Sequence, residues 1–266
     1  TTIGNVWGGN SRSSSNVYVL DQKLDIIGRL ENLAPGEQIH SARFMGNRCY
    51  LVTFKKIDPL FVIDFKDPYA PKVLGELKIT GYSDYLHPYD ENHVIGIGKE
   101  AIAAEVGDFA WYQGVKISLF DVSDVANPKE IAKYEIGDRG TDSPVLYDHK
   151  ALLFDRSKNL LVLPVQLAEI NEKYYSGVVP PYTYGEPVWQ GVYVFNISLE
   201  RGLELEGRIT HCSDAEFGQG RYYYGSSSCS IERSLYIGNV LYTVSDQKIG
   251  MNDLETLEEI GGLNLT

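Results

Sequence analysis

The chain has 266 residues, of which 43% are hydrophobic, and this is enough to build one or several buried cores. No stretch is apolar over the length needed to span a membrane, and the net charge of −12 comes with no cluster of Lys and Arg. These properties exclude a membrane-spanning helix and argue against a nucleic-acid partner. The 19 tyrosines, 26 glycines and 11 prolines favour strands and turns, so the composition indicates an all-β protein.

A pair of strands joined by a polar turn recurs along the chain. In each copy an apolar strand ends in Asp or Asn, and an amphipathic strand follows the turn. The residues at the end of the first strand are Asp21, Asp64, Asp121, Asn196 and Asp253. An Asp or Asn side chain in this place accepts a hydrogen bond from the backbone two residues further on. We therefore expect a turn of this kind at each of the five positions.

A second hairpin precedes each of the last four copies. Its turns include Gly46-Asn47 and Gly238-Asn239, which are signals for two-residue hairpin loops. Together the two hairpins form a four-stranded unit of the size and strand count of a propeller blade. The sequence thus predicts an all-β fold, a β-propeller with about four and a half blades. The expected blades are 16–34 (a half blade), 38–81, 82–137, 142–212 and 228–266.

The incomplete first blade has a consequence for assembly. Each blade buries its faces against its neighbours, so a chain that starts within a blade leaves a surface open. We expect the missing blades upstream or on another chain, in a ring of seven or eight blades. The alternative is a closed four-bladed ring with the N-terminal hairpin spliced onto one end.

Two insertions rich in aromatic residues interrupt the repeat, at residues 101–113 and 168–189. Both fall between the second and third strands of their blades, so they are expected to project from the same end, and the first is long enough for a short helix. A further aromatic run lies at residues 222–224. The predicted loop aromatics are Trp111, Tyr112, Tyr182, Tyr184, Trp189 and Tyr223. Tyr and Trp supply rigid contact area with a polar group, which suits protein or sugar recognition. The alternative is that they cap the rim of the propeller itself.

Three histidines lie on or near predicted first strands, which line the channel of a propeller. A ring formed by His40, His87 and His149 would suit a metal ion, but their positions along the strands disagree. A structural role is the expectation. Asp148-His149 is not expected to form a catalytic pair, because adjacent residues on a strand point to opposite faces. No nucleophile motif accompanies it, so no catalytic residue is predicted.

Three carboxylates cluster between two predicted blades, at Asp138, Asp142 and Asp148. A calcium ion needs six to eight oxygen ligands, and this loop offers several. The alternative is a plain solvated loop, since the ordered spacing of an EF-hand is missing. Apart from this calcium ion no cofactor is predicted.

The cysteines point to an oxidising compartment. Cys212 and Cys229 flank a polar stretch that a disulfide would restrain, with two unpaired thiols as the alternative. Cys49 lies in a strand-like run and is expected to be a buried free thiol. Disulfides persist outside the cytosol, which favours an extracellular or cell-surface location. Asn196 and Asn264 begin N-x-S/T sequons and are glycosylation candidates.

Residues 36–100, 115–155 and 233–249 resemble a family of archaeal and bacterial secreted proteins. Its members carry a C-terminal β-propeller distantly related to WD40 repeats. The resemblance covers almost the whole chain and is weakest at residues 212–229. It implies export and further propeller sequence upstream, and it supplies no catalytic residues.

These observations predict a secreted or cell-surface propeller that acts as a non-catalytic module. Loops on one face of the ring would bind a protein or glycan partner. One alternative is an assembly unit of an extracellular coat or filament, suggested by the open edge at residues 16–34. A second alternative is an extracellular hydrolase with its site at the mouth of the channel.

Overall fold

The structure, a computed structural model, describes residues 1–3, 13–55, 58–107, 109–213 and 227–265. In these ranges the chain forms nineteen strands and four short 3₁₀ turns. None of the described helical segments has the length and hydrophobicity to cross a membrane. The prediction of an all-β protein is confirmed.

The strands form five sheets in chain order, and in each sheet every strand pairs with its sequence neighbours. The first sheet contains β1 (Thr2–Ile3), β2 (Ser14–Leu20) and β3 (Ile26–Leu33). The second contains β4 (Gln38–Met45), β5 (Arg48–Phe54), β6 (Asp58–Asp64) and β7 (Lys72–Ile79). The third contains β8 (Tyr82–Pro88), β9 (His93–Ala103), β10 (Ala110–Asp121) and β11 (Lys129–Ile136). The fourth contains β12 (Leu153–Asp155), β13 (Leu160–Glu169), β14 (Glu186–Ser198) and β15 (Gly202–Ile209). The fifth contains β16 (Arg233–Ile237), β17 (Val240–Val244), β18 (Lys248–Asp253) and β19 (Glu259–Asn264).

The two-residue turns form where the sequence indicates them. Met45 pairs with Arg48 and Ile237 pairs with Val240, so each turn has only two residues at its tip. Gly46 and Gly238 have φ angles of 58° and 60°, a region that suits glycine because it has no Cβ. These predicted hairpins are confirmed.

Four of the five residues at the strand ends form the expected turn. Their carboxylates accept a hydrogen bond from the backbone N–H two residues on, at 2.8–3.0 Å: Asp21, Asp64, Asp121 and Asp253. Asn196 does not, because its strand continues to Ser198. There the Ser198 hydroxyl oxygen accepts a hydrogen bond from the Arg201 N–H at 3.1 Å instead. The expectation for Asn196 is wrong because the strand is two residues longer than its apolar pattern indicates.

The chain divides into two compact units, residues 1–112 with 116–133, and residues 113–115 with 134–266. In the first unit the inner strands are buried on both faces. Cys49 and Leu51 of β5 pack toward the first sheet, in a cluster with Leu33. Tyr50 and Val52, which alternate with them, pack toward the third sheet. The period of two along a strand therefore supplies two different cores from one segment.

The second unit has a core of the same kind between the fourth and fifth sheets. Its buried residues are Leu160, Val162, Val192, Val194, Ile209, Ile231 and Leu241. Inner strands of both sheets contribute, so each sheet stabilises the next by burying apolar surface.

In three pairs of consecutive sheets, the later sheet lies close to a glycine in the last strand of the earlier sheet. A Cβ on Gly28 of β3 would overlap the Pro68 carbonyl oxygen, and one on Gly75 of β7 would overlap that of Val125. Within the second unit, Gly207 of β15 faces the Leu257 side chain in the same way. In each case the contact comes from the turn between the last two strands of the following sheet.

Candidate functional site

The residues 170–185, which we name the tyrosine loop, connect β13 and β14 in the second unit. Tyr182 and Tyr184 are exposed at 58% and 56% of their surface. Tyr174 is also exposed, and Val178 is fully exposed. The structure therefore brings two of the predicted aromatics together on one loop, with further apolar side chains beside them.

Arg139 holds the end of this loop. Its guanidinium carbon lies 4.3 Å from the centre of the Tyr184 ring, and its Nη2 donates a hydrogen bond to the Tyr184 hydroxyl at 3.0 Å. The Gly185 N–H donates to the Arg139 carbonyl oxygen at 2.7 Å. A cation over the ring face and two hydrogen bonds thus fix the orientation of Tyr184.

The start and middle of the loop are also fixed. The Ile170 N–H donates to Oδ2 of Asp138 at 2.7 Å, and Gln113 Nε2 donates to the Pro181 carbonyl oxygen at 2.9 Å. The Thr183 N–H closes a turn onto the Pro180 carbonyl oxygen at 3.0 Å. The exposed rings therefore project from a backbone that is held at several points.

Trp189 lies in β14 and not in a loop, contrary to the sequence prediction. It pairs with Leu167 of β13, and the strand passes Pro187 at a bulge next to this pair. The Arg208 guanidinium lies 5.0 Å from the Trp189 ring centre, and Tyr193 packs edge-on at 5.3 Å. Arg208 and Tyr193 cover part of the Trp189 ring, which is partly buried, whereas Tyr182 exposes 58% of its surface.

Trp111 and Tyr112 also lie in a strand, β10 of the first unit, so their placement in a loop is corrected. The Tyr112 ring packs against Phe54 at 5.7 Å and Tyr82 at 5.0 Å, and Trp111 packs edge-on to Phe109 at 4.9 Å. The first insertion forms no helix in its described part. Tyr223 lies outside the described residues.

A His–Asp pair that the sequence did not indicate lies next to Tyr82 in the first unit. Nδ1 of His40, on β4, lies 3.0 Å from Oδ1 of Asp84, on β8. The His40 ring packs on Tyr82 at 4.3 Å between ring centres. The signal was present in the two first strands, since each carries one member of the pair beside a serine.

The other two histidines of the predicted ring have separate environments. His87 is partly buried on β8, and Tyr85 Oη lies 2.9 Å from its Nδ1. Burial, with Arg43 nearby, lowers the pKa of His87 to about 4. His149 lies in a 3₁₀ turn, His149–Ala151, and not on a strand.

The three aspartates of the predicted calcium site make separate hydrogen bonds. Asp138 accepts from Ile170 as above, and Asp142 exchanges two backbone hydrogen bonds with Gln166. Asp148 accepts from the Lys150 N–H and contacts Arg233 Nη2 at 2.5 Å, and these two interactions lower the pKa of Asp148. Within the described ranges, no group of three or more His, Cys, Asp or Glu side chains is placed to hold a metal ion.

The cysteines are arranged as expected. Cys212 and Cys229 form a disulfide, while Cys49 is a free thiol with 1% of its surface exposed. Burial raises the pKa of Cys49 to about 12, which makes the thiol unreactive at neutral pH. Of the sequon asparagines, Asn196 lies within β14 with a buried Oδ1, whereas Asn264 is exposed at the end of β19.

Comparison with known proteins assigns the chain to a family. A model described as "Beta propeller domain" matches residues 1–257. An uncharacterized protein of Methanocaldococcus jannaschii is 36% identical over 259 residues, which are 97% of this chain and 32% of that protein. One from Archaeoglobus fulgidus is 31% identical over 251 residues, 94% of this chain and 32% of the relative. The chain thus spans about a third of the length of these relatives.

Solved structures give a more distant similarity. The WD40 domain of SCAP from fission yeast is 11% identical with a TM-score of 0.41, covering 96% of this chain and 52% of that chain. Sqt1 from Chaetomium thermophilum is 12% identical with a TM-score of 0.40, covering 96% and 67%. Similarity at this level carries no argument about function. The family assignment follows from the match over residues 1–257, and the chain belongs to the β-propeller domain family that its repeats predict.

Proposed function

We propose that this β-propeller domain is a non-catalytic binding module of a secreted or cell-surface protein, which holds a protein or glycan partner on the tyrosine loop. The observation that carries the proposal is the exposure of Tyr182 and Tyr184 on a loop that Arg139 anchors. Apolar ring surface that stays exposed to water costs free energy. A partner that covers the two rings recovers this free energy on binding.

The anchoring supports binding because it lowers the cost of association. A loop that is ordered before the partner arrives loses little conformational entropy on binding. Tyr has few rotatable bonds and offers both an apolar face and a hydroxyl, so it contacts protein side chains and sugar rings equally well.

The location outside the cell is supported by the Cys212–Cys229 disulfide. Such bonds persist in oxidising compartments. The exposed Asn264, at the start of a sequon, fits the same location. Fractionation of the source cells with detection of the full-length protein tests it, and recovery in the cytosol alone contradicts it.

The binding proposal is tested with the double variant Tyr182→Ala/Tyr184→Ala. The purified, labelled chain is titrated onto cell envelopes of the source organism, before and after enzymatic removal of glycans. We expect the variant to bind at least about tenfold more weakly, the loss typical of central aromatic contacts. Loss of binding after glycan removal identifies a sugar partner, and loss after protease treatment identifies a protein.

The matched control is Tyr69→Ala, which removes a tyrosine with 70% exposure from a turn of the first unit. Thermal unfolding of each variant shows whether the fold is intact. Equal affinity of the double variant and the original chain, with both folded, contradicts the proposal.

A further inference from the structure

A cleft of about 790 Å³, lined by both polar and apolar residues, opens within the first unit between the second and third sheets. It lies beside the β4–β5 turn, the β6–β7 turn and the β8–β9 turn. Its volume falls in the range of small-molecule sites, roughly 300–1,000 Å³. The cleft is separate from the tyrosine loop, which belongs to the second unit.

The charges of the cleft are divided between its walls. Arg48 begins β5 and Lys66 lies in the β6–β7 turn of the second sheet, whereas Asp90 and Glu91 come from one turn of the third sheet. Asp64, on the first wall, is engaged by the Lys66 N–H at 2.9 Å. Asp64 offsets one of the two positive charges on its wall, so a ligand between the walls meets a net positive charge on one side and two carboxylates on the other.

The negative wall is held in place. Oδ1 of Asp90 accepts a hydrogen bond from the Asn92 N–H at 2.8 Å and lies 2.8 Å from His93 Nδ1. These contacts fix the Asp90 carboxylate before any ligand arrives. A fixed charge attracts a cation without the cost of ordering a long side chain.

Tyr50 supplies the second observation. It lines the cleft, none of its surface is exposed, and its hydroxyl has no hydrogen-bond partner among the described residues. A buried hydroxyl without a partner costs free energy, and such groups are rare in folded proteins. Met45, which also lines the cleft, is only partly buried and is unbranched, so it can move to admit a ligand atom to this hydroxyl.

We propose that this cleft binds a small zwitterion, an amino acid or a dipeptide. Its carboxylate faces Arg48 and Lys66, its ammonium group faces Asp90 and Glu91, and one of its polar atoms bonds the Tyr50 hydroxyl. The site is independent of the proposed partner surface, so either can fail without the other.

A smaller cleft in the second unit repeats part of this arrangement. It has a volume of about 360 Å³ between the fourth and fifth sheets, and its lining includes Lys158, Glu255 and Asn196. Oδ1 of Asn196 is buried without a hydrogen-bond partner in the described part of the chain. Both clefts thus contain a cation, a carboxylate and a buried polar atom without a hydrogen-bond partner among the described residues. Their recurrence indicates that such clefts arise from the packing of consecutive sheets and not from one particular loop.

The experiment is isothermal titration calorimetry of the whole chain with the twenty common amino acids and a set of dipeptides. N-acetylated, C-amidated forms of the same compounds lack both charges and serve as blocked analogues. Glucose and galactose test the rival case of a neutral polyol. We expect at least one zwitterion to bind and its blocked analogue to bind at least about tenfold more weakly.

Tyr50→Phe keeps the ring and removes only the unpaired hydroxyl. We expect it to preserve or raise the Tm of the free chain and to weaken zwitterion binding by about tenfold. Glu91→Gln, at an exposed position, should weaken binding without affecting the fold, and Arg29→Gln outside the cleft should change nothing. Absence of binding by every zwitterion at millimolar concentration overturns the proposal, as does unchanged affinity in Tyr50→Phe or binding by the sugars alone.

Discussion

Lys116 is a charged residue in the interior of the third sheet, with 1% of its side chain exposed. Its ammonium group donates to the Thr80 carbonyl oxygen and lies 3.5 Å from Glu100 Oε2 and 3.7 Å from Glu130 Oε1. Ser118 also donates to Glu130, at 2.6 Å. Three adjacent strands thus share one buried group of charges, in which each member neutralises another.

We expect Lys116→Met to lower the free energy of unfolding by roughly 3 to 5 kcal/mol, because it leaves two partly buried carboxylates without a cation. The triple variant Lys116→Met/Glu100→Gln/Glu130→Gln should recover most of this loss, since no charge then remains. Urea denaturation measures both. Lys78→Met, which breaks an exposed pair with Glu76, is the control and should cost less than about 1 kcal/mol. Equal losses in Lys116→Met and Lys78→Met would show that the buried charges are not coupled.

Two histidines make stability depend on pH. Burial lowers the pKa of His87 and of His211 to about 4, against 6.5 for an unhindered histidine, with smaller contributions from Arg43 and Lys248. Ser245 and Thr243 hydroxyls hold the His211 ring at 2.8 and 2.9 Å. Between pH 6.5 and 4 the unfolded chain therefore binds protons that the folded chain does not.

The free energy of unfolding should accordingly fall as the pH is lowered from 6.5 toward 5, by at most about 1.4 kcal/mol per pH unit for each histidine. Above pH 7 this contribution is constant because both rings are neutral in both states. Urea denaturation of the chain and of His87→Gln/His211→Gln across this range measures the slope. A double variant with the same slope as the original chain would contradict the assignment.

The two insertions lie where the repeat predicts them, but their aromatic residues do not all lie in loops. Their position between the second and third strands of a sheet was predicted, and the described strands place them there. Their aromatic residues were predicted to lie in loops, but Trp111 and Trp189 lie in strands. The reason is that the two inner strands of each sheet form a hairpin longer than the outer strands. β13 and β14 stay paired as far as Glu169 and Glu186, whereas β15 pairs with β14 only from Val192 onward. Pro187, a residue that usually ends a strand, is accommodated at a bulge.

The pairing of side chains across elements could not be predicted. His40 and Asp84, or Arg139 and Tyr184, are far apart in sequence and come together only when the sheets pack. The Asp residues at the strand ends were predictable because each one bonds a neighbour two residues away. Asn196 shows the limit, since a related side chain at the corresponding place in the repeat lies inside a strand.

The disulfide is the element whose removal is easiest to measure. It joins residues separated by 17 positions, and closing a loop of that length stabilises a chain by about 3 kcal/mol in the chain-entropy model. We expect Cys212→Ser/Cys229→Ser to lower the free energy of unfolding by that amount in urea denaturation. Dithiothreitol should have the same effect on the original chain and none on the variant. A reductant effect that persists in the variant would assign it to another group.

At the scale of the whole chain, the repeat of four-stranded units was the strongest signal in the sequence. It predicted the family because strand periodicity and turn chemistry are local properties that repeat. The two compact units and the clefts between sheets were not predicted, because they depend on how neighbouring sheets pack. The same packing creates the inner strands whose two faces serve two different cores.

The glycines that face a turn of the next sheet make the contact between two consecutive sheets asymmetric. Gly28 and Gly75 each face a turn from the sheet that follows, so in these two sheet pairs the earlier sheet provides the gap and the later sheet provides the turn. Two sheets of equal strand number are for this reason not interchangeable. Suppose that a rearrangement of the gene exchanged the segments 38–81 and 82–137. Each segment would keep its own alternation of buried and exposed residues. The Cβ of Ala132 would, however, occupy the place in the fold that Gly75 now leaves free. The backbone contacts therefore restrict the order of the sheets along the chain. Recombination between repeats of such a gene causes steric clashes that the amino-acid composition of the sheets does not reveal.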